Sequence, residues 1–160
     1  MRDGTLPAAL IFAALGFALS FAPSRVRLPA LLVALTSALV VLLFRFEEAR
    51  TEAIYFACWA CVTLASASVH LPRGIGAKTA MVLALAGGTT AGAVIGLTGS
   101  MRDLAVALPA YLVIAPASWL VATGRGIGVK VVSSWLIAIA MLAAALPLTP
   151  TPGYAPDHME

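Results

Sequence analysis

RGIGAKTAMVLALAGGTTAGAVIGLT, residues 73–98, opens with a basic, glycine-bearing turn and continues from Thr79 to Thr98 without a single charge. A turn of nearly the same letters, RGIGVK at 125–130, follows 52 positions later and again leads into an apolar run. Each run has the length a helix needs to cross the hydrocarbon core of a bilayer, about 20 residues. Self-similarity at a fixed period marks a chain assembled from repeated units. The spacing therefore predicts helical hairpins joined by basic turns.

Composition points the same way. Of the 160 residues, 61% are hydrophobic and 11% charged, against roughly 25% charged in soluble domains. Runs of spanning length are predicted at 5–22, 28–44, 53–71, 79–98, 104–122 and 129–147. The expected fold class is all-α: a polytopic membrane protein with six transmembrane helices, paired as three helical hairpins with a weak internal repeat. The transmembrane domain is expected to cover 1–147, leaving 148–160 as a short polar tail. A cleaved signal peptide at the first run is disfavoured, because Asp3 offsets Arg2 and cleavage would remove half of the first hairpin. A β-barrel is excluded by the lack of the in–out alternation its strands require.

Charge placement predicts an orientation. The turns after the first, third and fifth runs hold Arg25, Arg27, Arg73, Lys78, Arg125 and Lys130 and no acid. All the acids lie on the other side, at Asp3, Glu47, Glu48, Glu52, Asp103, Asp157 and Glu160, together with Arg2, Arg45, Arg50 and Arg102. The positive-inside rule weighs Lys and Arg alone, and it places the basic turns in the cytoplasm with both termini outside. Small size, short loops and an alanine-rich composition suggest a bacterial inner membrane. Two cations per short turn make no phosphate-tracking groove, so nucleic acid is not an expected partner. The lipid bilayer is, along with a second copy of the chain or a larger membrane complex.

The repeat extends beyond the turns. Trp59 and Tyr111, and Ser66 and Ser118, are also 52 apart, and Ser24-Arg25-Val26-Arg27-Leu28-Pro29 is a loose first copy. Within the turns, Gly74, Gly76, Gly126 and Gly128 are expected to supply left-handed backbone without a side-chain penalty. The spacing is not that of a Walker phosphate loop.

The densest local signal is in the fourth run. Gly88, Gly92 and Gly96 form a ladder at one-turn spacing, which allows close helix–helix approach. Ala53, Ala57, Cys61 and Ala65 form a matching small-residue stripe in the third run, so the two are expected to pack as an antiparallel pair, to meet copies of themselves, or to line a narrow path. Pro109 and Pro116, seven apart, should kink the fifth run and supply a hinge. Trp119, Trp135 and Tyr55 fall near predicted helix ends, as an aromatic belt would place them.

Cys58-Trp59-Ala60-Cys61 puts two thiols on one helix face. It resembles the thiol pairs of small bacterial mercury-uptake membrane proteins, and that resemblance would imply soft-metal relay through Cys58 and Cys61. The chain has no second pair to receive the ion, so packing is the expected role and no metal or other cofactor is assigned. Trp59, Gly88-Thr89 and Gly92 resemble a pattern in the membrane half of fusaric-acid-resistance-type aromatic exporters. That would imply a detached membrane module, and it carries no family assignment.

None of the six runs holds Asp, Glu, Lys, Arg or His away from its ends, whereas ion-coupled carriers place such groups near the midplane. His70 is expected at the interface and His158 in the tail. With no carboxylate pair, Ser–His arrangement or HExxH, no catalytic residue is assigned and no enzymatic activity is expected. The expected function is a permeation or transport module, or a transporter subunit, for a small solute. The alternative is a non-catalytic scaffold or accessory subunit of a larger membrane complex.

Overall fold

A computed structural model describes residues 5–44, 50–98 and 101–148. The α-helices are α1 (Thr5–Ser20), α2 (Ser24–Leu42), α3 (Thr51–Ser68), α4 (Ala77–Thr98), α5 (Met101–Ala107), α6 (Ile114–Ala122) and α7 (Gly126–Ala145). Leu108–Val113 is a 3-10 segment joining α5 to α6, and Leu146–Leu148 is another that follows α7. No strand occurs among the described residues. With α5, the 3-10 segment and α6 counted as one rod, the six expected runs are helical.

Four of the rods are long and apolar enough to cross a bilayer: Ser24–Leu42, Ala77–Leu97, Met101–Ala122 and Gly126–Leu148. The other two differ in kind. α1 is apolar but has 16 residues, about 24 Å of helix against a hydrocarbon core of about 30 Å. α3 has 18 residues and carries Glu52 in its first turn. The coarse expectation of an all-helical membrane bundle thus stands, with four helices of spanning length.

α1 occupies the centre. It is hydrophobic all round, as a helix buried in a protein core or in a membrane is. Ile11, Phe12, Leu15 and Leu19 are at most 1% exposed. α3, α4 and the Met101–Ala122 rod surround it. α2 rests mainly on α4, and α7 on α3. The expected hairpin plan is therefore not what organises the packing: the principal neighbours of α1 come from later in the chain.

α2 and α4 run parallel and touch backbone to backbone. A Cβ on Gly88 would collide with the Ala34 carbonyl and Ser37 Oγ, and one on Gly92 with the Ala38 carbonyl. Each step of four in α4 is matched by a step of four in α2, which fixes both direction and register. The α2 side of this seam is Ala30, Ala34 and Ala38, all buried. Next to Gly88, Gly87 opens α4 to α1, since a Cβ there would lie 2.5 Å from Leu15 Cδ1.

α3 and α7 run antiparallel. The Tyr55 hydroxyl donates to the Ala143 carbonyl at 2.9 Å near one end. Ser134 Oγ lies 3.4 Å from His70 Nε2 toward the other.

The fifth rod changes helical type where a kink is expected. Pro109 falls in the first turn of the 3-10 segment, and Pro116 in the first turn of α6. A proline in a first turn sacrifices an N–H that has little call for a partner there. The tightened segment lies against Gly16 of α1: a Cβ on Gly16 would be 3.2 Å from the Tyr111 carbonyl oxygen and 3.3 Å from the Ile114 nitrogen. Tyr111 meets Phe12 edge-on, with ring centroids 6.3 Å apart.

Candidate functional site

The glycine ladder pairs with α2 and not, as expected, with the small stripe of α3. Gly88 and Gly92 are buried in the α2–α4 seam, while Gly96 is exposed. The α3 stripe also divides, because Ala53 and Ala57 are exposed and Cys61 and Ala65 are buried. The physical reason lies in which face of α3 turns inward: Cys58, Trp59, Val62, Ala65 and Ser66 are buried together. That face packs on α1 and α7 as well as α4, so no single row of small residues governs it.

Cys58 and Cys61 are both buried and free of disulfide. Thr90 of α4 donates its hydroxyl to the Ala86 carbonyl at 2.7 Å. Among the described residues no third His, Cys, Asp or Glu joins them in a group able to hold a metal ion.

Two buried serines, Ser66 on α3 and Ser133 on α7, are polar groups without partners. Both are 0% exposed, and neither hydroxyl has a hydrogen-bond partner among the described residues. The Trp59 Nε1 and the Tyr111 hydroxyl are buried and unpartnered too. Trp59 stacks edge-on against Tyr55 at 5.8 Å and lines a groove of about 460 Å³ with Phe56, Thr63, Leu64, Ala140 and Met141. Ser66 enters the sequence reading only as a repeat partner of Ser118, and Ser133 does not enter it at all. Nothing in the spacing of isolated serines reveals which of them are buried.

The basic turns converge on one end of the bundle around Phe21. The Ile75 N–H donates to the Phe21 carbonyl at 3.4 Å, and a Cβ on Gly126 would be 3.5 Å from the Phe21 ring. Arg25, Arg73, Lys78 and Arg125 are exposed there, with Lys130 half-buried. Arg27 has a different role: its Nη2 donates to the Ser20 carbonyl at 2.9 Å and its Nε to the Ala22 carbonyl at 3.1 Å. Ser20 is the last residue of α1 and Ala22 lies two residues beyond it, where carbonyls lack intrahelical partners. The described acids, Glu52 and Asp103, begin α3 and α5 at the opposite end.

The two RGIG turns do not share a conformation. Left-handed backbone occurs at Gly74 (φ 70°) and at Gly124 (φ 76°), and at no other described glycine. Gly76 precedes α4, whereas Gly126 and Gly128 lie inside α7. The expected left-handed role of Gly76, Gly126 and Gly128 is thus corrected. Pro72 stops the third rod and Gly74 makes the bend, whereas Gly124 has already turned the chain before the second motif starts.

Chemically, the described residues of the interior offer hydroxyls, two thiols and an indole N–H, and no charged side chain is buried among them. No protein-family model, curated protein or solved structure matches the chain.

Proposed function

We propose that the protein is a non-catalytic membrane subunit that serves as a scaffold or accessory helix bundle in a larger membrane complex. In this reading the helices cross a bacterial inner membrane six times, the basic turns face the cytoplasm and both termini lie outside. The observation that carries it is the central position of α1. Its side chains Ile11, Phe12, Leu15 and Leu19 fill the axis around which a conducting path through one copy would have to run. A filled, uncharged interior suits a packing module, since moving ions or protons across a bilayer calls for polar or charged groups at depth.

Gentle solubilisation and affinity purification of the tagged chain test this. A single membrane partner should co-purify in fixed ratio, and a chain recovered alone that moves solute across proteoliposomes would refute it.

A permeation module for a small solute is the second reading. It is favoured by the unpartnered Ser66 and Ser133 hydroxyls buried on α3 and α7, either of which a polar solute would satisfy. Flux that falls on Ser133→Ala while the fold persists would select it.

A further inference from the structure

We propose that the groove between α2 and α6 binds one anionic phospholipid of the surrounding bilayer, its phosphate on Arg25 and Arg27 and one acyl chain along Leu28, Leu31, Ile114 and Ala115. The groove has a volume of about 320 Å³ and is lined by Arg27, Leu28, Leu31, Ile114, Ala115 and Ser118. Its position supplies the depth a lipid needs. Arg27 stands in the first turn of α2, at the end where the basic turns gather, and Ser118 is one turn from the end of α6. Leu31 and Ile114 lie one turn deeper on their respective helices. The groove thus starts at the basic end of the bundle, beside Arg25 and Arg27, and runs inward along a lining that is almost wholly apolar.

The charge selects the headgroup. Arg27 is held in place by the Ser20 and Ala22 carbonyls, which engage Nε and Nη2 and leave Nη1 uncommitted. A guanidinium fixed on one edge presents its other donors without further ordering cost. Arg25 is exposed and one turn above Leu28, on the helix face that carries the groove. The described acids are at the other end of the bundle, so no described carboxylate competes for these cations. Lys and Arg near a membrane surface each favour anionic lipid. A zwitterionic headgroup would set its own cation against two arginines, and a free phosphate would leave the groove unfilled.

Native mass spectrometry of the full chain, released from nanodiscs containing equal phosphatidylglycerol and phosphatidylcholine, provides the test. One retained phosphatidylglycerol per chain is expected, with binding about fivefold weaker in Arg25→Gln from loss of one cation and abolished in Ala115→Phe, which fills the groove. Inorganic phosphate at millimolar concentration should not displace the lipid. Equal retention of phosphatidylcholine, unchanged retention in Arg25→Gln, or displacement by inorganic phosphate would each overturn the proposal. Arg25 is exposed, so that variant decides the matter even if Ala115→Phe does not fold.

Discussion

Arg27 of α2 closes the end of α1 by donating from Nη2 to the Ser20 carbonyl at 2.9 Å. Together with the Nε bond to Ala22, it supplies charge-assisted partners to carbonyls that no helical N–H can reach. Arg27→Ala should therefore lower stability by about 1.5–3 kcal/mol. Arg25→Ala, two positions away and exposed, should leave it nearly unchanged. Reversible unfolding in mixed detergent micelles measures both, and equal effects would refute the capping role.

The α2–α4 seam predicts opposite outcomes at two rungs of one ladder. Gly92→Leu forces a side chain into the Ala38 backbone, and backbone cannot rotate aside as a side chain can, so a loss of about 3 kcal/mol or more is expected. Gly96 is exposed, so Gly96→Ala should be neutral or gain up to about 1 kcal/mol from the lower entropy of its unfolded chain. The same unfolding assay ranks them.

Removing a buried polar atom from α7 should strengthen the bundle. Ser133→Ala deletes a buried hydroxyl that has no partner, and an unsatisfied group of that kind costs about 1–3 kcal/mol, so thermal stability should rise. Tyr55→Phe should do the reverse, losing about 0.5–1.5 kcal/mol with its bond to the Ala143 carbonyl. Should Ser133→Ala lower stability, that hydroxyl has a partner.

Reporters decide the topology. Fusions at Gly76 and Gly124 should share the cytoplasmic compartment, because both turns belong to the basic end, and a fusion at Glu160 should lie across the membrane. Placement of Gly76 and Gly124 on different sides would contradict the convergence around Phe21.

Thiol chemistry separates packing from metal handling. Cys58 and Cys61 are buried, so maleimide should leave them unmodified in the folded protein and label both after unfolding in dodecyl sulfate. The double change Cys58→Ser and Cys61→Ser should leave soft-metal sensitivity of the host unaltered.

The sequence carries much of this fold and little of its pairing. Run length and uninterrupted apolarity locate the helices, and glycine spacing identifies Gly88 and Gly92 as points of close approach. Their partner is another matter. Ala30-Ala34-Ala38 and Ala53-Ala57-Cys61-Ala65 show the same spacing, and only the three-dimensional arrangement, with α1 set against α3 and α4, gives the seam to α2. The RGIG turns fail for a related reason: near-identical letters follow Pro72 in one case and Gly124 in the other, and those neighbours decide where the left-handed residue falls. The prolines of the fifth rod are legible as a disturbance, but its form, a 3-10 stretch seated on Gly16, depends on a contact nearly a hundred residues away in sequence.

α1 leaves the ribosome before every element that covers it. Until α3, α4 and the Met101–Ala122 rod have been made, its apolar side chains lack the neighbours that bury them. The late-made segments are therefore the ones that commit the molecule to its native arrangement, and a chain arrested after α4 would lack the side of its core that the Met101–Ala122 rod supplies.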